Sequence, residues 1–214
     1  MGRATSVENE RNLSSEKAEA ILQGGMREFL ANGYAATSMD RVAKSSKVSK
    51  ATVYSHFQDK ESLFVALIQH LVEKKFRSVF DPVNAGKLSS EPELVLKQLA
   101  YRMLDAGSEQ PLFQNFMRVI IGESGRFPQL ARAFVRNVEK TGFRLLTEYF
   151  STAPQFDFED PEAIARIFVG SLAHFVIVQE MLHGKEIIPM ERERLVDNLV
   201  GLLLQGQSNG KSEL

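Results

Sequence analysis

Residues 38–60, SMDRVAKSSKVSKATVYSHFQDK, decide how the rest of the chain is read. Ser38 carries the short hydroxyl side chain that accepts from the free N–H groups at a helix start. Val42 and Ala43 then supply the inner side of about two helical turns. Ser45, Ser46 and Lys47 interrupt that period, and Val48 plugs the turn. Ser49 caps a second helix, Lys50 to His56, with Val53 and Phe57 facing inward. Its outer face carries Lys50, Ala51, Thr52, Tyr54, Ser55 and His56, which are donors and small residues without an acid. Such a face suits phosphate oxygens and base edges in a major groove, which admits one α-helix.

Thr37, Ser38, Val42, Ala43, Val48, Ser49, Thr52, Val53, Tyr54, His56, Phe57, Lys60 and Leu63 stand at fixed offsets across 27 residues. In this the stretch resembles the DNA-binding helix-turn-helix of the TetR/AcrR family of transcriptional regulators. Two positions depart from the pattern: Lys47 stands where the family has a turn glycine, and Ala51 replaces a second glycine. A non-glycine residue at a positive-φ turn costs on the order of 1 kcal/mol, which a phosphate contact from Lys47 would offset. The resemblance implies that Tyr54, Lys60, Thr52 and His56 hold DNA phosphates. Lys50, Ala51 and Ser55, with Arg41 and Ser38 nearby, would face bases. The first-turn N–H groups beside Lys60 favour a phosphate there.

Net charge is −1 over the 214 residues, but its distribution matters more. From Thr37 to Lys60 five basic residues face two acidic ones, a local +3, whereas from Glu61 onward 17 basic face 20 acidic. A basic face on a mildly acidic body is the footprint of a small DNA reader with a separate second function. With 43% apolar residues the chain can bury a core, and seven prolines fall mostly between periodic segments, pointing to an all-α protein. The absence of cysteine excludes disulfides, thiolate zinc sites and thiol redox switches. No unbroken apolar run reaches about 18 residues, and the polar start MGRATSVENERNLSSEK is no signal peptide. A cytoplasmic protein without a membrane partner is expected.

Residues 1–13 read as a disordered arm, and Ser14 to about Asn32 as the first long helix, stopped by Gly33. Residues 14–60 make the DNA-binding domain. A helix from Glu61 to about Phe80 then joins it to a larger body, residues 61–206, after the linker Asp81–Gly86. Five further helical segments are bounded by Pro or Gly, for nine helices in all, a plan that matches the family. MRVIIGESGRFPQLARAFVRNVEKTGFRLLTEYF is similar to the C-terminal regions of AcrR- and AefR-like members. Residues 207–214 read as a disordered tail.

No phosphate-binding glycine loop and no nucleophile elbow are present. Glu180 and His183 form a single Glu-x-x-His, half of what a di-iron bundle needs, so no metal and no cofactor are expected. His174 stands in the apolar run FVGSLAHFVIVQEML, either as a hydrogen-bonded core histidine or as a polar group in a ligand cavity. The resemblance implies such a cavity among the middle helices. Phe113, Phe116, Met117 and Ile120 share one helical face and make its first wall, joined by Met103, Phe134, His174 and Phe175. Few charges line these faces, so a small hydrophobic or aromatic effector is expected. The last two helices are apolar nearly all round, and Phe168, Leu172, Leu195, Leu199 and Leu203 are expected at the seam of a homodimer.

Together these features predict a dimeric transcriptional regulator, a repressor, bound to a palindromic operator and released by the effector. The alternatives are an architectural DNA-binding protein without a ligand, and an all-α enzyme or lipid-binding protein with a helix-turn-helix-like corner. Five basic residues beside a Tyr/His pair, and no catalytic constellation, speak against the latter.

Overall fold

A computed structural model describes the backbone of residues 2–80, 91–108 and 111–208, with side chains from 13–71, 91–108 and 111–206. Among the described residues the chain forms nine helices and no strand: α1 Gly2–Ala36, α2 Met39–Ser46, α3 Lys50–His56, α4 Lys60–Phe80, α5 Pro92–Ser108, α6 Pro111–Glu123, α7 (residues 128–152), α8 Pro161–Met181 and α9 Arg192–Ser208. The linker 81–86 and the end of the tail, 209–214, lie outside the described residues. The first helix starts earlier than expected, at Gly2 instead of Ser14, because nothing between them is a proline or a glycine that would break it. At its other end Gly33 leaves helical geometry at φ 72°, ψ 173°, a region open in practice only to glycine.

The helices gather into two compact units, Met1–Leu71 with Asn115–Asn137, and Val72–Gln114 with Val138–Leu214. The grouping therefore differs from a break at residue 60: the first half of α4 and most of α6 belong with the reader. The reader core is aromatic. Tyr34 stacks on Phe29 at 5.6 Å, and Phe64 meets both edge-on and stacks on Phe116 at 4.7 Å. Ile21, Val42, Val53 and Leu63 complete it, all fully buried. Gly24 is where α1 and α2 touch, since a Cβ there would lie 2.9 Å from the backbone nitrogen of Ser46.

The second core is built by Leu96, Leu99 and Leu104 of α5, Leu146 and Phe150 of α7, Phe168 and Leu172 of α8, and Val196, Val200 and Leu203 of α9. By length and composition α8 could cross a membrane, but one of its faces is spent on this core. Two helices contain π-helical turns, Val135–Glu139 in α7 and Val176–Met181 in α8. Gly107 lets α5 approach the second of these, as its missing Cβ would come within 2.9 Å of the Val176 side chain. Buried Gln179 pins the chain that follows, donating to the Ile188 carbonyl and accepting from the Met190 N–H.

Candidate nucleic-acid interface

The reader is assembled by its caps. Ser38 accepts from the Arg41 N–H at 3.3 Å and Ser49 from the Thr52 N–H at 3.1 Å, so both helices start where the sequence places them. Lys47 closes α2 in the left-handed conformation, φ 56°, and its N–H reaches the Ala43 and Lys44 carbonyls. Its charge points outward while its backbone carries the strain a glycine would avoid. Replacing Lys47 with Gly should stabilise the reader by about 1 kcal/mol, measured by thermal melting. The same change should flatten the salt dependence of DNA binding by ~0.9 log units per lost phosphate contact. A variant that melts earlier than wild type would contradict the strain.

Ser38, Arg41, Lys47, Ser49, Lys50, Ala51, Tyr54 and Ser55 are exposed, with Thr52 and His56 half-buried. Lys50 makes an ion pair with Asp40 at 2.7 Å, which raises its pKa, and lies 6.0 Å from the Tyr54 ring centre. Both partners of that pair are more than half exposed, so it can yield to a phosphate. Ser49 and Thr52 share a hydroxyl hydrogen bond, and Ser55 donates to the Thr52 carbonyl. These bonds hold three hydroxyls on one edge of α3.

Lys60 is placed differently from the expectation. Its ammonium donates to the carbonyls of Tyr34 (2.7 Å), Thr37 (3.0 Å) and Ala35 (3.3 Å) and lies 4.4 Å from the Tyr34 ring centre. An ammonium has three hydrogens, and all are engaged within the chain. Burial draws its pKa down, opposed by the field of Glu123. Burial, with the carboxylates of Glu61 and Asp59, pushes the Tyr34 phenol up to about 12.

Several structural bonds had no clear signal in the sequence. Thr37 is buried and donates to the Glu28 and Gly33 carbonyls, and Arg27 spans from α1 to the Ser45 hydroxyl and carbonyl. Glu123 accepts from the Ala35 N–H at 3.4 Å. Each bond joins residues at least nine positions apart or depends on the break at Gly33, which local patterns do not reveal.

The residues expected to wall a ligand site are divided between the two units. Phe116 and Ile120 are buried in the reader unit, Phe116 against Phe64, while Phe175 is buried in the second core. Met117 and Phe134 are half-buried in the first unit; Met103 and Phe113 are half-buried in the second. His174 is exposed and so not a core histidine, because the inward face of α8 is taken by Ala165, Phe168, Leu172 and Phe175. A groove of about 620 Å³ does open in the reader unit, between Leu30 and Gly33 of α1 and Asn115, Arg118, Val119, Gly122 and Glu123 of α6, and none of the expected residues lines it.

The residues expected at the dimer seam all fall in the second unit. Phe168, Leu172, Leu199 and Leu203 are buried within the chain's own second core, with Leu195 packed on its edge. The apolar side chains left uncovered are others: Ile167 of α8 is 52% exposed and Leu202 of α9 is 68% exposed. A helix has two apolar faces here, and the periodicity that identifies them does not say which turns inward.

Residues 21–67 match the model of bacterial regulatory proteins of the tetR family, and residues 94–206 that of the C-terminal domain of AefR-like transcriptional repressors. The HTH-type transcriptional repressor Rv3405c of Mycobacterium tuberculosis is 34% identical over 104 residues, 49% of this chain and 55% of that protein. AcrR of Shigella flexneri is 28% identical over 107 residues, 50% of this chain and 49% of the relative. The chain spans only 24% of the length of the regulator YuxN and 46% of YhgD, both from Bacillus subtilis. Among solved structures, a TetR-family transcriptional regulator from Mesorhizobium loti superposes with a TM-score of 0.74 at 26% identity, covering 90% of this chain and 96% of that one. The flavonoid-responsive regulator FrrA does so at 0.71 and 28% identity, covering 92% and 97%. With its helix-turn-helix and its C-terminal body both matched, the chain belongs to the TetR family of bacterial transcriptional regulators.

Proposed function

We propose that this chain acts in the cytoplasm as a homodimeric repressor that binds a palindromic operator through α2 and α3 and is released by a small hydrophobic or aromatic effector. The observation that carries the reading is the outer face of α3, capped by Ser49 and presenting Lys50, Ala51, Tyr54 and Ser55 without an acid. Tyr54, Thr52, His56 and Lys47 hold phosphates; Lys50, Ala51 and Ser55, with Ser38 and Arg41, meet bases. Two readers of one dimer engage half-sites one turn of DNA apart, ~34–36 Å. The uncovered α8 and α9 faces support the dimer: Ile167, Ile177 and Leu202 are exposed, and nothing lies within 4 Å of where a Cβ on Gly170 or Gly201 would stand. The similarity to a flavonoid-responsive regulator supports an aromatic effector. α4, whose residues belong to both units, would carry the change in state.

Selection from a random duplex library should return a palindrome, and Tyr54→Phe should weaken binding to matched and random DNA by similar factors. Loss of discrimination without loss of non-specific affinity would instead place Tyr54 on a base. A second reading, a DNA-binding regulator without an effector, is favoured by the close packing of Phe116, Ile120 and Phe175 in separate cores. Melting the protein against a panel of aromatic and aliphatic compounds separates the two, since only the first predicts a ligand that raises the transition and lowers operator affinity.

A further inference from the structure

The four residues between the kink at Gly33 and the cap of α2 would have bare carbonyls, because α1 ends at Ala36 and no further turn follows to bond them. Three of these carbonyls, those of Tyr34, Ala35 and Thr37, receive the Lys60 ammonium. Ala36, the fourth, receives the Arg41 guanidinium at 3.4 Å. The same joint is held on its N–H side by Glu123 at Ala35, and the Tyr34 ring carries Lys60 on its face and Phe127 at 4.9 Å. Cations satisfy carbonyls at a helix end better than water does, through charge-assisted bonds and the negative end of the dipole.

From this geometry we infer that Lys60 is a positioning residue of the reader: its ammonium clamps the joint 34–37 and so sets where α2 starts, and it does not contact DNA phosphate. Thr37 and Ser38 follow directly from the clamped carbonyls, and Ser38 caps the helix that carries Arg41. A phosphate could recruit Lys60 only by stripping it from three carbonyls, two of them in partly buried bonds. Neutralising Lys60 therefore loosens α2, and the phosphate count of the complex is unchanged. The inference rests on the operator-binding reading only for its affinity arm.

The test compares wild type, Lys60→Met and Lys60→Gln as full-length proteins, at a temperature where all remain folded. Binding to the selected duplex is measured by fluorescence anisotropy across a range of KCl, and amide exchange is followed in peptides covering 34–47 and α9. A clamp predicts that K60M binds about tenfold more weakly at every salt with the wild-type slope, since no ion is released at Lys60. Amides of 34–47 should exchange at least tenfold faster, while those of α9 stay as in wild type. K60Q keeps two donors without the charge and should recover part of both losses. A slope lower by ~0.9 per subunit with unchanged exchange would make Lys60 a phosphate ligand and overturn the clamp. Unchanged exchange and unchanged affinity would overturn it as well. If wild type itself binds no duplex, the regulator reading fails, and the exchange arm alone decides the clamp. Should K60M not fold, K60Q carries the same comparison.

Discussion

Leu199→Glu is expected to unfold the C-terminal unit, whereas Leu202→Glu three residues later is expected to leave each chain folded and separate the subunits. Leu199 is 6% exposed and sits in a core with Leu96, Leu99, Phe168 and Val196. A carboxylate there removes apolar contact and buries a charge without a partner, a loss of at least 3–5 kcal/mol, enough to consume a large share of the stability of a domain this size. Leu202 is 68% exposed, so a charge there meets water in a single chain and meets its own copy across a two-fold seam. Circular dichroism should show L199E losing helix and its cooperative transition. Sedimentation should show L202E as a folded monomer with weak operator binding, because one half-site is a weak site. If L202E remains a dimer at micromolar concentration, the seam does not run along this face of α9. If L199E folds and merely dissociates, Leu199 belongs to the seam and the core assignment is wrong.

The second large effect is expected at Gly24. A Cβ at that position would stand 2.0 Å from the Ser46 hydroxyl oxygen, 2.9 Å from the Ser46 nitrogen and 3.0 Å from the Ser46 Cβ. The hydroxyl can rotate away at the loss of its bond to the Val42 carbonyl, but the nitrogen belongs to the last turn of α2 and cannot. Alanine must therefore push α1 and α2 apart, against the usual helix-forming advantage of about 1 kcal/mol that alanine holds over glycine. Overpacking of this kind costs typically 1–3 kcal/mol, and the direct clash with backbone places Gly24→Ala at the upper end. The neighbouring Gly25→Ala meets only the flexible Leu63 side chain, nearest atom 3.1 Å, and should cost clearly less. Thermal melting of the two variants side by side is the measurement. Equal stability of G24A and wild type would show that the helices separate without cost.

How much of this protein was legible in its residues follows from the range of the forces involved. Ser38 and Ser49 act on N–H groups three residues away, so the caps, the two reader helices and the outward set on α3 followed from sequence alone. The stop at Gly33 and the left-handed turn at Lys47 are equally local, being properties of one backbone position. The all-α plan rests on the spacing of apolar residues within each helix, again a local pattern. Tertiary structure decided everything that depends on which face turns inward. Leu199 and Leu202 are the same residue one turn apart, and only packing against α5 and α8 makes one core and leaves the other bare. The same holds for Phe116 and Phe175, which share an apolar character but end in different cores. Lys60 belongs to this second class too: its long stem can reach DNA or the chain itself, and the choice is made by carbonyls 23 to 26 residues earlier, left open where α1 ends. Short-range hydrogen bonds and periodicity write themselves into neighbouring residues, while burial and charge pairing are settled by whatever the fold brings alongside.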